Sequence, residues 1–422
     1  MKAIRKDPDA ARTALQRRGA SDDLDRLLEL DARRRELLPQ VEDGRAEQNR
    51  ASDEIAKAKA AGEDAAELLD RMKVLSSEIK SLESELSKVE ADCDALAAGL
   101  PNLPDPDAPD GDTDADAVVL REVGDLPDLG FEAVDHLTLA ERHGWVEMKA
   151  AAEASGARFS YLLGDLVMVE LALIRWVVEK VRAQGFEPVV PPVLVREKAL
   201  FGTGFFPGER EMIYEIPADE LFLVGTSEVS LASLHADQIV EAADLPIRYA
   251  GISTCFRREA GAAGKDTRGI FRVHQFDKVE MFSVCAPPSS SDEQQRILAI
   301  QEEILGGLGI PYRVVDIPIG DLGAPASRKF DCEGWIPSEQ RYRELTSCSN
   351  TTDYQARRLG ARFRPDGEGK TSPEPMHTVN GTAVAVGRTL IALIENGQQA
   401  DGSVDLPEVL VGAGAPASIP AG

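Results

Sequence analysis

The chain has 422 residues, 43% of them hydrophobic, and is therefore long enough for two or three domains with sizeable cores. Its formal net charge of −26 argues against a protein that binds nucleic acid over most of its surface, because phosphate contacts require lysine and arginine. The five cysteines form no Cys-x-x-Cys pair, so we expect no zinc site, no disulfide framework, and reduced thiols in a cytoplasm.

The sequence also argues against a membrane protein. Its first residues lack the apolar run of a secretory signal. The most apolar segment, 166–178, is interrupted by Glu170 and Arg175 and is too short to cross a bilayer. We therefore expect no membrane partner.

Residues 1–104 are predicted to form a helical arm. A short helical segment ends at Gly19, and a weak apolar pattern then runs to Ala58. After Gly62 apolar residues recur at alternating intervals of four and three, as in the seam of a coiled coil: Leu68, Met72, Leu75, Ile79, Leu82, Leu86, Val89, Cys93 and Leu96. With Gly62 at the tip, we predict two antiparallel helices of roughly 35 residues each, the first kinked at Pro39. Such an arm alone is usually a dimerisation or spacer device.

Residues 105–130 are predicted to be a linker, because this part of the chain is rich in proline and aspartate. Residues 131–422 are predicted to form one domain of helices and strands. In it, a long helix capped by Asp165 is expected to end at Gly185 and to lead into a strand that reaches Pro192. The small and apolar tail, 412–422, is expected to be disordered.

The most informative stretch, 255–281, is predicted to form two strands joined by a glycine-rich loop. Arg257 and Glu259 lie two residues apart in the first strand and would share one face. In the second strand, residues such as Met281 would face the core, and five residues, four of them polar or charged, would share the opposite face: Arg272, His274, Phe276, Lys278 and Glu280. So many charges on one face predict a charged ligand, although a solvated sheet face is the ordinary alternative.

Three other segments carry polar residues in short patterns. Thr226 and Glu228 are predicted to share one face of a strand, and an ordinary edge strand is the alternative. Side chains of the segment 342–347 alternate as they would in a strand. Arg388 follows a glycine-containing strand that is predicted to lead into a helix.

Together these segments resemble the motifs of class II aminoacyl-tRNA synthetases. The order Phe-Arg-x-Glu, glycine loop and Arg-x-His-Gln-Phe-x-Lys-x-Glu at 256–280 is similar to motif 2. The helix and strand of 165–192 resemble motif 1, and the segment around Arg388 resembles motif 3. Ser-Cys-Ser-Asn-x-x-Asp-x-Gln-Ala-Arg-Arg at 347–358 is close to a signature of seryl-tRNA synthetases, and the resemblance extends over residues 1–412.

The resemblance implies an α+β fold with an antiparallel sheet of roughly six or seven strands, flanking helices and the N-terminal two-helix coiled-coil arm. It implies a homodimer built through motif 1. It also implies an enzyme that activates L-serine with ATP and transfers the seryl group to tRNA(Ser) and tRNA(Sec). In this family the arm holds the long variable arm of the tRNA, and the candidate contacts here are Arg45, Arg50, Lys57, Lys59, Arg71 and Lys73.

The same resemblance implies three catalytic residues. Arg257 would hold the α-phosphate of ATP, Glu259 would read the adenine amino group, and Arg388 would stack on the base. The implied ATP-binding set is Arg257, Arg258, Glu259, Val273, Glu344, Leu345, Thr346, Ser347 and Arg388. Glu344 and Ser347 would also bind Mg²⁺, which takes oxygen ligands.

The implied serine site contains Thr226, Ser227, Glu228, Glu280 and Thr382. A buried carboxylate that faces the substrate ammonium is the physical reason for Glu228, although either Glu228 or Glu280 could take that group. Glu280 and Thr382 are the candidates for reading the serine hydroxyl. A site that hydrogen-bonds this hydroxyl would reject alanine strongly.

Three alternatives remain open. One is a specialised paralogue with the same chemistry and a different cellular role. Another is a non-catalytic tRNA-binding relative, which predicts damage at catalytic positions, but these are intact: Arg257, Glu259, Glu280, Glu344 and Arg388. A third, a plain coiled-coil interaction protein, accounts for nothing after Phe131.

Overall fold

The computed structural model describes residues 2–261, 266, 268–367 and 371–421. The chain divides into two compact units, Met1–Leu103 and Pro104–Gly422. The described part of the first unit is helical, and the second unit is built on a large β-sheet.

The first unit is a helical hairpin preceded by two short helices. Its helices are α1 Lys2–Lys6, α2 Pro8–Gln16, α3 Ser21–Ala61 and α4 Ala66–Gly99. The hairpin turns at Gly62, whose φ of +73° lies in the left-handed region that favours glycine. The Gly62 N–H donates to the carbonyl oxygen of Lys59 at 3.2 Å. The predicted two-helix arm is therefore confirmed.

The apolar seam between α3 and α4 packs as the heptad pattern predicts. Its buried residues include Leu24, Leu27, Leu37, Val41, Ile79, Leu86, Val89 and Cys93. Pro39 lies on the exposed side of α3, and the helix continues through it. Pro39 therefore removes one backbone hydrogen bond without entering the seam.

The second unit is organised around one large sheet. Its eight strands, counted over the described residues, are β1 Val118–Val123, β2 Glu187–Val189, β3 Ile247–Phe256, β4 Gln275–Cys285, β5 Tyr312–Asp316, β6 Arg328–Ile336, β7 Arg341–Thr352 and β8 His377–Ala385. They lie in the order β1-β5-β6-β7-β8-β4-β3-β2, and all neighbours are antiparallel except β2 and β3.

The antiparallel sheet is confirmed, with two corrections. It has eight strands rather than six or seven. The segment 105–130, interpreted from its composition as a linker, contributes the edge strand β1, which pairs with β5. The proline and aspartate residues of this segment conceal a run of valine and leucine at 118–120 that is well suited to a strand.

Nine helices surround this sheet in the described part of the second unit. They are α5 His136–Arg142, α6 Lys149–Ser155, α7 Asp165–Ala183, α8 Glu197–Thr203, α9 Glu228–Ser233, α10 Ser290–Gly307, α11 Tyr354–Leu359, α12 Val386–Gly397 and α13 Glu408–Gly412. Five of them, α7 and α9 to α12, pack directly on it. Leu173 of α7, Ile304 of α10 and Leu390 of α12 belong to one apolar cluster with Met281 of β4 and Val384 of β8. This cluster is the core behind the site.

Two smaller expectations are corrected. The residue that precedes α7 is Gly164, and Asp165 is the first helical residue rather than its cap. The tail is ordered up to residue 421, because Ser418–Ile419 pairs with Val404–Asp405 and Ile419 is fully buried. Strand pairing and burial of one apolar side chain are enough to hold a terminal segment against the domain.

Short strands outside the large sheet form small ladders. These are Val146–Glu147 with Tyr161–Leu162; Leu194–Val195, Leu221–Leu223 and Glu215–Ile216; and Ile239–Glu241, Arg362–Arg364 and Glu374–Pro375. Over the described ranges, no helix is both long and apolar enough to cross a membrane.

Strand β4 separates the core from the site. Val279 and Met281 are buried in the apolar cluster, whereas Lys278 and Glu280 line a cavity on the opposite side. This is the alternation that the sequence predicts for a strand. Glu280 lies opposite Thr382 of β8, directly after a shift in strand register at Val279.

Candidate active site

The motif that contains Arg257 and Glu259 begins where a strand ends. β3 finishes at Phe256, so these two residues do not share a strand face as predicted. Glu259 has a φ of +50°, which turns the chain away from the extended conformation. Arg272 likewise precedes β4, and residues 262–265 and 267 of the intervening loop lie outside the described part of the chain.

Backbone contacts hold Arg257 against the start of β4. The Arg257 N–H donates to the carbonyl oxygen of His274 at 2.9 Å, and Nδ1 of His274 lies 2.8 Å from the carbonyl oxygen of Arg257. The Arg257 side chain donates from Nε to the carbonyl oxygen of Gly225 at 3.2 Å. Its guanidinium carbon lies 5.3 Å from the ring centroid of Phe276. Within the described residues, these hydrogen bonds use the backbone and Nε of Arg257 and not its terminal nitrogens.

A first cavity collects most of the implied ATP-binding residues. Its lining includes Arg257, Glu259, Val273, Phe276, Glu344, Leu345, Ser347 and Arg388. Arg388 donates to the carbonyl oxygen of Glu344 at 3.0 Å and lies 3.2 Å from the Glu344 carboxylate. Desolvation opposes the charged form of Glu344, but Arg388 and Lys329 outweigh it and hold the Glu344 pKa well below its usual range. This favours the ionised carboxylate.

A salt bridge orients Glu259 at the edge of this cavity. Arg272 Nη1 donates to Glu259 Oε2 at 2.7 Å. Arg272 also lies 3.6 Å from Asp266, which pairs with Arg343 at 2.7 Å. The carboxylate of Glu259 is consequently held by a cation on one side while its other oxygen remains an acceptor.

A second cavity, of about 340 Å³, adjoins the first. Thr226, Glu228 and Glu280 line it, whereas Thr382 lines the first cavity. The residues that border both cavities are Arg257, Lys278, Glu344 and Ser347. Thr226 and Glu228 do not lie on a strand as predicted, because Glu228 is the first residue of helix α9. A ligand that spans the two cavities would pass Arg257.

Neutral amides and one lysine hold the carboxylates of the second cavity. Oε1 of Glu228 accepts from Gln355 at 2.7 Å and from Asn380 at 2.8 Å. Glu280 forms an ion pair with Lys278 and accepts from the Thr382 hydroxyl at 3.3 Å. Lys278 compensates Glu280 at close range, whereas the direct hydrogen-bond donors to Glu228 are uncharged.

Three of the implied site residues do not reach the cavities. The side chains of Arg258, Thr346 and Ser227 are absent from both linings, and Thr346 and Ser227 are buried. The Arg258 N–H donates to the carbonyl oxygen of Met212 at 2.9 Å. Gly251 of β3 approaches Ser227 so closely that a Cβ at Gly251 would lie 2.6 Å from the Ser227 hydroxyl.

Several contacts in the site were not found from the sequence. Gln301 of α10 donates to the carbonyl oxygens of Ser347 at 2.7 Å and Thr382 at 2.9 Å, and so fixes β7 and β8 where the two cavities meet. Gln355 lies in the 347–358 signature, which could have pointed to it. No sequence pattern indicates Asn380, because a single amide in a buried strand has no distinguishing neighbours.

The sheet, the arm and the two adjoining cavities define a class II aminoacyl-tRNA synthetase. The model of the tRNA synthetase class II core domain (G, H, P, S and T) matches residues 213–397, and that of the seryl-tRNA synthetase N-terminal domain matches residues 1–104. A serine–tRNA ligase of Rhodococcus jostii is 47% identical over 412 residues, which cover 97% of each chain. The chain belongs to the seryl-tRNA synthetase family, which are ATP-dependent aminoacyl-tRNA ligases.

Solved structures agree with this assignment. A seryl-tRNA synthetase from Pyrococcus horikoshii, complexed with ATP, superposes with a TM-score of 0.91 at 38% identity, covering 99% of this chain and 98% of that one. A cytoplasmic serine–tRNA ligase from Naegleria fowleri, in complex with AMP, gives a TM-score of 0.85 at 31% identity and covers 98% and 95% of the two chains. The family predicted from the sequence is confirmed.

Proposed function

We propose that this chain activates L-serine with ATP, forming seryl-adenylate and pyrophosphate, and then transfers the seryl group to the 3′-terminal ribose of tRNA(Ser) and, by family implication, tRNA(Sec). The observation that carries the proposal is the pair of adjoining cavities with Arg257 at their junction. One cavity presents the planar cation of Arg388 and the carboxylate of Glu259. The other presents the carboxylates of Glu228 and Glu280.

In the first step an oxygen of the serine carboxylate attacks the α-phosphorus of ATP. A new P–O bond forms as the bond to the bridging oxygen breaks, and pyrophosphate leaves. The nucleophile is already deprotonated, so no side chain has to remove a proton. Arg257 borders both cavities and can stabilise the charge that develops on the α-phosphate. Positioning supplies most of the remaining acceleration.

Adenine is assigned to the first cavity. The guanidinium of Arg388 is suited to cover the base, with Phe276, Val273 and Leu345 as the apolar part of the lining. Glu259 can accept from the adenine amino group. Arg258 and Thr346 can contribute here only through their backbone or their neighbours, since their side chains lie elsewhere, and the same holds for Ser227 in the serine site.

Glu344 and Ser347 are assigned to a Mg²⁺ ion that accompanies ATP. Both border the two cavities, both supply oxygen, and the ionised form of Glu344 is favoured by its lowered pKa, so the donor set fits this metal. When bound, the ion would supply positive charge against the phosphate oxygens.

We assign the serine ammonium to Glu228 and the hydroxyl to Glu280 and Thr382. Glu280 is already compensated by Lys278, whereas Glu228 accepts from neutral amides. Burial, and then the nearby Glu280, raise the Glu228 pKa to about 7, although Gln355 and Lys278 oppose the shift and Glu209 adds to it. Because the folded pKa exceeds the unfolded value, Glu228 stabilises the fold less as pH rises from about 4.5 to about 7.

This assignment predicts a pH-dependent affinity for serine. Only the ionised Glu228 can pair with the ammonium, so the apparent KM for serine should fall as pH rises through about 7 and then level off. Glu228→Gln should raise KM at every pH and remove this dependence. Serine-dependent ATP–pyrophosphate exchange, measured between about pH 6 and 8.5, checks it. A wild-type KM that is flat over this range would contradict the assignment.

We propose that residues 1–104 are the tRNA-binding arm. Of its candidate contacts, Arg45, Arg71 and Lys73 are engaged with acidic side chains of the arm itself. The other three are exposed and, within the described residues, form no ion pair: Arg50, Lys57 and Lys59. These free cations near the hairpin tip are the best candidates for phosphate contacts on an otherwise acidic chain.

Replacing Arg50, Lys57 and Lys59 together by glutamine should lower kcat/KM for tRNA charging by at least about tenfold and weaken its salt dependence. Serine-dependent pyrophosphate exchange should remain normal, because it requires no tRNA. Arg45→Gln/Arg71→Gln is the matched control and should affect charging less. Equal losses in both variants would show that the paired cations matter as much as the free ones.

We also propose a homodimer formed through the motif 1 region and residence in the cytoplasm. Large apolar side chains are exposed along this region: Met168 and Leu171 of α7, and Val190, which is 82% exposed. Exposed large apolar side chains of this kind are typical of an interface. The five cysteines are free and buried, which suits a reducing compartment.

The test of the whole proposal is ATP–pyrophosphate exchange together with charging of bulk tRNA, with threonine, alanine and cysteine as controls. Exchange and charging that depend on serine alone are expected. Exchange without charging would leave the pocket assignment intact and count against the arm. Absence of serine-dependent exchange would reject the proposed activity.

A further inference from the structure

We propose that His136 is a positioning residue for the nucleotide cavity. Its ring would bridge two groups by hydrogen bonds: Nδ1 to the buried carboxylate of Glu395, and Nε2 to the backbone N–H of Ile270. The bridge would hold Ile270 in place. The three residues come from helix α5, helix α12 and the end of the glycine-rich loop. Neither Glu395 nor His136 lines the cavity, so both act through the loop.

Glu395 fixes the ring of His136. Its side chain is 1% exposed, and Oε1 accepts from the His136 N–H at 3.0 Å and lies 3.0 Å from Nδ1 of the His136 ring. The other oxygen of Glu395 accepts from the Ser338 N–H at 3.0 Å. The carboxylate of Glu395 thus acts as an acceptor toward two backbone N–H groups. An acceptor that also faces Nδ1 requires Nδ1 to carry the proton, because two acceptors cannot form a hydrogen bond with each other.

The opposite nitrogen of the ring is then an acceptor, and it meets a donor. The N–H of Ile270 points to Nε2 of His136 at 3.4 Å. Gly269 is the neighbour of this donor, with a φ of +78°. A Cβ at Gly269 would lie 2.3 Å from Nε2, so the close approach of loop and ring requires glycine. The backbone of 269–270 therefore lies directly against the ring.

The segment held in this way forms part of the cavity wall. Ile270 and Phe271 line the cavity assigned to ATP. The guanidinium carbon of Arg388 lies 4.6 Å from the ring centroid of Phe271, and that of Arg343 lies 3.8 Å from it. Displacement of Ile270 would therefore also move Phe271, whose ring contacts the Arg388 guanidinium. This links the end of α12, which contains Glu395, to the start of α12, which contains Arg388.

Two substitutions at His136 separate its hydrogen bond to Glu395 from its hydrogen bond to Ile270. His136→Asn keeps a donor near the position of Nδ1 but cannot reach Ile270. His136→Gln places an acceptor near the position of Nε2 but gives up the contact with Glu395.

The inference rests on the proposed adenylation activity for its kinetic readout, ATP–pyrophosphate exchange. His136→Asn should raise the KM for ATP by about five- to tenfold, the effect of one hydrogen bond, with kcat and the KM for serine within about twofold of wild type. His136→Gln should lie closer to wild type. A second readout, hydrogen exchange of the peptide that contains Ile270, should be faster in His136→Asn and requires no activity.

Two outcomes would overturn the inference. One is an unchanged KM for ATP and unchanged exchange at Ile270 in His136→Asn. The other is that His136→Asn and His136→Gln lose kcat to the same extent and thermal stability to the same extent. This would indicate a structural role alone. If the wild type itself gave no pyrophosphate exchange, the proposed activity would be rejected. Amide hydrogen exchange would still decide whether His136 holds Ile270.

Discussion

Replacing Glu280 by alanine should abolish serine activation while ATP still binds. The Glu280 carboxylate pairs with Lys278 and accepts from Thr382, at the position assigned to the serine hydroxyl. Its removal takes away the acceptor for that hydroxyl and leaves the buried Lys278 without its partner. Because the site would no longer read the serine hydroxyl with its charged acceptor, we expect kcat/KM for serine to fall by about 10³-fold or more.

Pyrophosphate exchange measures this loss, and calorimetric titration with ATP measures nucleotide binding separately. Glu333→Ala is a matched control, because Glu333 also pairs with a cation, Arg313, but lines neither cavity. It should retain normal exchange, and a melting curve of each variant shows whether the fold survives. Near-normal exchange in Glu280→Ala would remove Glu280 from the serine site.

Replacing Arg257 by alanine should have the second large effect. Arg257 borders both cavities and is held by Gly225, His274 and Phe276. A preorganised cation at the developing phosphate charge is worth about 10²- to 10³-fold in kcat. We therefore expect kcat for exchange to fall by this factor, with a smaller change in the KM for serine.

Arg257→Lys keeps the charge but lacks the planar fork and should recover only part of the rate. Arg341→Ala removes an exposed arginine whose partner is Glu339, and it should behave as wild type. Single-turnover formation of seryl-adenylate separates chemistry from product release. If alanine at position 257 changed only the KM for ATP, Arg257 would be a binding group rather than a stabiliser of the transition state.

Glu259 and Glu228 illustrate why local patterns were only partly reliable. Both were placed on strand faces from their spacing, yet Glu259 follows the end of β3 with a positive φ and Glu228 begins helix α9. Residue spacing carries the period of a strand but not the point at which the strand stops. Both residues line the cavities, but the local conformation predicted for them was wrong.

By itself the sequence determined the arm and the order of the motifs, and it named several of the residues that the structure brings to the first cavity. The heptad spacing and Gly62 specify a helical hairpin through interactions between residues close in the chain, and Arg257, Glu344 and Arg388 stand in short patterns. Only the tertiary structure decided that β1 completes the sheet, and that Glu228 meets Gln355 and Asn380.

The same is true of the contact between Glu395, His136 and Ile270, which joins three segments separated by more than a hundred residues. Such contacts depend on which distant segments the fold brings together. The raised pKa of Glu228 likewise depends on which distant groups exclude water from its carboxylate. That is a property of packing, and no local pattern in the chain encodes it.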